Sequence, residues 1–237
     1  MANPNLQLVD SERFGVLAAE TVAEALRDVL EGQDAVNLVL TGGRAAKSVY
    51  TALAKSELLT ASAWSRVRFF WGDERCVPPN HEDSNYRMAV ETLLEPLGIS
   101  DEVVYRMHGE DEPKAAAKSY ARLVDHILDG GREIHVLLLG MGEDGHTASL
   151  FPRTLALGEL KVSVVENYVP KLQGWRLTLT SPVLKRAQRT FVLVRGWAKA
   201  SVLNCVFAGQ CTENECPVRL LWDSRGEVTW LSDVPLS

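Results

Sequence analysis

The chain has 237 residues, of which 46% are hydrophobic, 24% charged and 7% aromatic, the balance of a globular protein that can bury a core without staples. Its 25 Lys+Arg against 31 Asp+Glu leave a net charge of −6, which argues against a bulk binder of nucleic acid or anionic membrane while leaving room for a local basic pocket. Four cysteines (Cys76, Cys205, Cys211 and Cys216) are too few for a disulfide framework, and no apolar run approaches membrane-spanning length.

The opening MANPNLQLVD lacks the basic-then-apolar pattern of a secretory signal, so a cytoplasmic location is expected. Residues 14–30 place Phe14, Leu17, Ala18, Val22, Ala25, Leu26, Val29 and Leu30 at helical spacing, with Gly32 as a stop. Val36 to Leu40 reads as a buried strand, followed by a helix over about Ala45 to Leu59. A strand over Val67–Trp71 leads into a loop with Pro78-Pro79 and a helix over about Ser84–Leu94. Pro113 suits the first turn of another helix, terminated by Gly130-Gly131. Ile134 to Leu139 is the cleanest strand. Apolar runs follow at Lys161–Val165 and Trp175–Thr180, then a strand at Thr190–Val194, a helical stretch over 197–208 and a last strand near Glu227–Leu231. Strands alternating with helices predict an α/β fold: a mostly parallel sheet with helices on both faces. With no repeat or flexible linker, residues 1–237 read as one domain, with an excursion over 72–112 lying outside the main sheet.

In such a sheet, chemistry collects beyond the carboxyl ends of the strands. Four polar segments occupy those positions: Thr41-Gly42-Gly43-Arg44, Gly72-Asp73-Glu74-Arg75, Gly140 through Thr147, and Arg195-Gly196-Trp197-Ala198-Lys199. Parallel strands bring them to one rim. Glycines opening a helix suit an anion, since backbone N–H groups can approach it and the helix N-terminus adds positive potential; an ordinary strand–helix turn has the same look. Asp73-Glu74-Arg75 reads either as a solvated loop or as a group in which Arg75 holds a phosphate or carboxylate and Asp73 fixes hydroxyls. Gly140, Gly142 and Gly145 satisfy G-x-G-x-x-G in form, with Glu166 lying 21 residues further on. A dinucleotide site is nonetheless disfavoured, because Pro152 interrupts the helix and Asp144 puts a carboxylate where phosphates would lie. Asp144-Gly145-His146 instead presents a histidine beside a carboxylate, a proton acceptor near neutral pH. Arg44, Arg75, Arg176 and Lys199 can together form the local basic pocket. The cysteine pairs 205/211 and 211/216 lack C-x-x-C spacing, so no zinc site is read from them.

Leu137-Leu138-Leu139-Gly140-Met141-Gly142-Glu143-Asp144-Gly145-His146-Thr147-Ala148-Ser149-Leu150-Phe151-Pro152 closely resembles the signature of 6-phosphogluconolactonases. Trp71-Gly72-Asp73-Glu74-Arg75-Cys76-Val77-Pro78 with Asp83-Ser84-Asn85-Tyr86 resembles that family's second signature, and Thr41-Gly42-Gly43 and Gly196-Trp197-Ala198-Lys199-Ala200 match its remaining blocks in order. The resemblance, over about residues 36 to 208, implies a Rossmann-like fold shared with glucosamine-6-phosphate deaminases. It further implies hydrolysis of a phosphorylated sugar lactone, 6-phospho-D-glucono-1,5-lactone, in the pentose phosphate pathway by a monomer without metal or cofactor. By matching positions, His146 would be the general base, with Asp73 and Arg75 positioning substrate and water; Asp144, two residues from His146, is the expected orienting group for the imidazole. Gly42, Gly43, Arg44, Arg176 and Lys199 would surround the phosphate. One departure is that Arg44-Ala45-Ala46 follows the two glycines, where many relatives carry small hydroxyl residues.

Two other readings compete. The related deaminases carry D-G-H-I-A-F-N-E-P at the corresponding run, with a glutamate that works beside the histidine; here that position is Phe151, which cannot shuttle protons. A non-catalytic sugar-phosphate sensor would normally carry an attached DNA-binding helix pair, and no basic DNA-reading segment precedes residue 36.

Overall fold

The computed structural model describes residues 5–129 and 133–236. Its elements are β1 (Asn5–Leu8), α1 (Phe14–Gly32), β2 (Val36–Leu40), α2 (Arg44–Leu53), α3 (Ala61–Trp64), β3 (Val67–Trp71) and β4 (Asp73–Arg75). Then come α4 (Asn85–Ala89), which continues through a π-helical turn at Val90–Leu94 into α5 (Glu95–Leu97), β5 (Val104–Tyr105), α6 (Pro113–Asp129) and β6 (Val136–Gly140). The chain ends with β7 (Val164–Val169), β8 (Gly174–Leu179), α7 (Ser181–Leu184), β9 (Arg189–Val194), α8 (Ala200–Phe207) and β10 (Glu227–Ser232).

Seven strands form one parallel sheet in the order β1-β10-β9-β6-β2-β3-β5. Its central strands are buried along all but the Gly140 end of β6 and the Arg189 start of β9, as their apolar runs require of a sheet covered on both faces. On one face α1 and α2 pack on each other and against β2 and β6. On the other, α6 sets Tyr120 into the core, where its hydroxyl accepts the Trp71 N–H at 2.9 Å and donates to the Tyr105 carbonyl. From β2 the chain steps outward to β3, whereas from β6 it steps the opposite way to β9. The adjacent pair β2/β6 is therefore the switch point of the sheet, where a crevice opens beyond the strand ends.

Three expectations are corrected, and one strand is added. The helix over 45–59 stops at Leu53, because Lys55 and Ser56 N–H groups turn back to Ala52 and Leu53 carbonyls; a new short helix starts at Thr60, whose hydroxyl accepts the Ala63 N–H. Asp73–Arg75 is no loop but the strand β4, which joins β8 and β7 in a separate antiparallel sheet. The 72–112 excursion also returns to the main sheet, since Val104–Tyr105 pairs with β3 as its edge strand. Asn5–Leu8, unread as an element, pairs in parallel with β10. The expected helix stop at Gly130-Gly131 lies outside the described residues.

Candidate active site

The four polar segments do share one rim. Thr41 to Ala46, Asp73, Arg75, Gly140 to Gly142, His146, Ala148, Leu193 and Lys199 line a cleft of about 140 Å³ at the β2/β6 switch point. Its floor is rigid: Tyr50, buried in α2, accepts the Thr41 N–H and donates to the Thr41 carbonyl, both at 2.8 Å. Burial also holds the Tyr50 phenol well above its ordinary range, so it stays a neutral clamp.

The loop after β6 folds back on itself, with the Gly142 N–H donating to the His146 carbonyl at 2.9 Å and the Thr147 hydroxyl to the Gly140 carbonyl at 2.9 Å. His146 Nδ1 lies 2.5 Å from Asp144 Oδ1, and Lys171 Nζ lies 3.0 Å from Asp144 Oδ2. Burial opposes ionisation of Asp144, but the hydrogen bond and charge of His146, joined by Lys171, outweigh it and hold the carboxyl well below the usual range. An ionised Asp144 requires the proton on Nδ1, which leaves the Nε2 lone pair free to accept another. Phe151 stacks on the ring at 4.0 Å between centroids and locks its plane. Gly142 is demanded by this packing, since a Cβ there would stand 2.1 Å from Nδ1.

Opposite the imidazole, β4 carries Asp73 and Arg75. Asp73 is buried, its Oδ2 accepting from the Ser149 hydroxyl at 2.7 Å and its Oδ1 from Asn85 Nδ2 at 3.3 Å. Asn85 packs so closely on Gly42 that a Cβ there would meet its Oδ1 at 2.0 Å. The intervening Glu74 faces away and accepts the N–H groups of Arg75, Asn85 and Tyr86 and the Ser84 hydroxyl, which pins 83–86 beneath β4. Burial pushes its carboxyl upward, against these donors. Arg75 anchors one guanidinium N–H on the Asp83 carbonyl.

The remaining charges are cations without carboxylate partners. Among the described residues neither Arg44 nor Lys199 joins a salt bridge. Lys199 is pushed down by burial and then by the Arg44 charge beside it. The first turn of α2 opens on the same cleft, with no side-chain cap and no acidic residue. Half-buried Lys199 and exposed Arg44 beside the uncapped start of α2 make a candidate anion seat, because an arriving anion would relieve their repulsion and complete the helix terminus.

Gly42, Gly43, Arg44, Asp73, Arg75, His146 and Lys199 thus all border the cleft. Asp144 contacts the imidazole but does not line the cleft. Arg176 does not line it: the residue sits on β8 directly opposite Arg75, and burial together with the Arg75 charge lowers its affinity for a proton. Sequence reasoning did not single out Ser149, Asn85 and Lys171 as parts of the site. The first two lie inside the quoted signature blocks, which was the available signal; Lys171 reaches Asp144 only through the β7–β8 hairpin. A larger groove of about 930 Å³ runs behind Asp144 and Phe151, past Tyr168 and Trp175, but of the predicted site residues only Asp144 borders it.

Fold and site together define an α/β protein with an anion seat at its switch point and a histidine–aspartate pair facing a buried carboxylate. The family model described as glucosamine-6-phosphate isomerases/6-phosphogluconolactonase matches residues 10–230, and the chain belongs to that family. It is 36% identical over 180 residues to a 6-phosphogluconolactonase of Treponema pallidum, covering 75% of this chain and 74% of that one. Against the Chlamydia pneumoniae 6-phosphogluconolactonase identity is 33% over 218 residues, 91% of this chain and 82% of the relative. The structure of 6-phosphogluconolactonase from Trypanosoma brucei superposes with a TM-score of 0.85 at 27% identity, covering 98% and 97% of the two chains. That of the Thermotoga maritima enzyme gives 0.83 at 27%, covering 97% and 99%.

Proposed function

We propose that this protein hydrolyses 6-phospho-D-glucono-1,5-lactone to 6-phospho-D-gluconate, the lactonase step of the pentose phosphate pathway. The observation that carries the reading is the His146–Asp144 pair, whose imidazole lines one cleft with Asp73, Arg75 and the Arg44/Lys199 anion seat. In the proposed mechanism Nε2 takes a proton from water as the water oxygen attacks C1. Charge building on the carbonyl oxygen is met by Arg75 and nearby N–H donors. The imidazolium then returns its proton to the departing ring oxygen. Asp73 holds hydroxyls of the sugar, and Arg44, Lys199, Gly42, Gly43 and the first turn of α2 hold the phosphate, with Arg176 reinforcing the charge through Arg75. The phosphate lies far from C1, so its binding energy serves positioning.

The same family contains amine-removing isomerases, whose glutamate beside the histidine corresponds to Phe151. Here the ring at that position stacks on the imidazole and offers no proton relay, which favours the reaction that needs one base and one water. The test is stopped-flow hydrolysis of the phosphorylated and unphosphorylated lactones, corrected for spontaneous opening. Rapid turnover of the phosphorylated lactone is expected, with kcat falling about 10²–10⁴-fold in His146→Ala. No acceleration over buffer sinks the reading, and an unchanged kcat in the variant removes His146 as the base.

A further inference from the structure

Three of the four cysteines meet at one place, away from the cleft. Cys205 lies on α8, and Cys211 and Cys216 on the segment that follows; the three sulfurs all lie within 4.8 Å of one another. Their spacing along the chain gives no C-x-x-C register, so the grouping is a product of folding. The segment is tightly wound. The Ala208 N–H returns to the Asn204 carbonyl at 2.8 Å, the Gln210 N–H to Cys205 at 3.0 Å and the Cys216 N–H to Thr212 at 2.8 Å. Glu215 closes the turn, its carboxylate accepting both the N–H and the hydroxyl of Thr212 at 2.9 Å. Cys211 and Cys216 are only 7% and 6% exposed, whereas Cys205 is half-buried and keeps one side open to solvent.

We propose that Cys205, Cys211 and Cys216 form a three-thiolate site for one thiophilic divalent cation of the zinc class, with solvent in the fourth position. Metal–sulfur bonds of about 2.3 Å in tetrahedral geometry place sulfurs about 3.8 Å apart, so the cluster closes around such an ion by side-chain adjustments of no more than about 1 Å. Soft sulfur donors select this class over calcium or magnesium, which require oxygen ligands. On binding, each thiol releases its proton to water as its sulfur takes up the metal. The site also backs onto the catalytic loop. Cys216 packs on Gly145, between Asp144 and His146, where a Cβ would meet the Cys216 Cα at 2.8 Å, and the Val218 N–H donates to the Gly145 carbonyl at 2.9 Å. An ion held here therefore braces the loop that carries the imidazole, and a rise in thermal stability is expected with it.

The test titrates the fully reduced whole chain with Cd²⁺, following thiolate-to-metal charge-transfer absorption, and repeats it with Zn²⁺ against a chromogenic chelator. The expected result is one equivalent of either ion, a charge-transfer band with Cd²⁺ and a raised Tm. The band disappears in Cys211→Ser and in Cys205→Ser, and persists in Cys76→Ser. Cys205 is half-buried, so its serine variant keeps the test available if Cys211→Ser does not fold. No band, a band that survives in both cluster variants, or zinc binding that survives in both overturns the proposal.

Discussion

Gly142→Ala perturbs the geometry of the His146–Asp144 pair without removing any charge from the site. The added Cβ would lie 2.1 Å from His146 Nδ1, 2.2 Å from Cε1 and 2.8 Å from Asp144 Oδ1, where real Cβ contacts essentially never fall below 3.0 Å. The backbone at 142 is not left-handed, so alanine adds no conformational strain of its own. The ring cannot slide sideways freely, with Phe151 stacked at 4.0 Å and Asp144 bonded at 2.5 Å. It must retreat by about 0.9 Å, and a displacement of roughly that size at a reacting group costs about 10²-fold in rate, or about 2.7 kcal/mol. Steady-state hydrolysis of the phosphorylated lactone should show this loss in kcat. Thermal melting serves to separate displacement from unfolding. Gly140→Ala, whose added Cβ meets only the Gly42 carbonyl at 3.9 Å, leaves the imidazole in place. Because that methyl borders the cleft, its effect belongs in KM. A folded Gly142→Ala protein with kcat within about threefold of the parent would refute the reasoning that this packing sets the catalytic geometry.

Lys199→Ala removes a partly desolvated cation of the anion seat, so KM for the phosphorylated lactone should rise about 10–100-fold with little change in kcat. Equal loss with the unphosphorylated lactone would assign Lys199 elsewhere. Glu74→Ala strips a carboxylate from three backbone N–H groups and the Ser84 hydroxyl, and should cost about 3–5 kcal/mol in denaturant unfolding; a loss below about 1 kcal/mol contradicts its role as the pin of 83–86. His135 accepts the Asn37 N–H through Nδ1 at 2.9 Å, and burial holds its pKa below 6.5. The unfolded chain therefore binds the proton first, and the contribution is complete above 6.5 and declines as pH falls from there toward the lowered native value. Melting temperature should drop across that window, with a shallower slope in His135→Gln; identical slopes would count against it.

The parallel scaffold and most of the site were legible in the chain itself. Val36–Leu40 and Thr190–Val194 are apolar runs of strand length, and such runs bury on both faces whatever their neighbours are. The polar residues that follow them are contiguous with them, so Gly42, Gly43, Arg44, His146 and Lys199 inherit their positions from the strand ends. Pairings between distant, short segments were not legible. Three charged residues, Asp73-Glu74-Arg75, carry no strand pattern and become β4 only because β8 supplies the complementary ladder. That ladder sets Arg176 beside Arg75 instead of in the cleft, and the hairpin behind it brings Lys171 to Asp144. Asn85 against Gly42 is likewise a product of the closed chain. Periodicity and strand-end position are local properties that short stretches of sequence encode, whereas a contact between residues far apart in the chain exists only once the sheet order has brought them together.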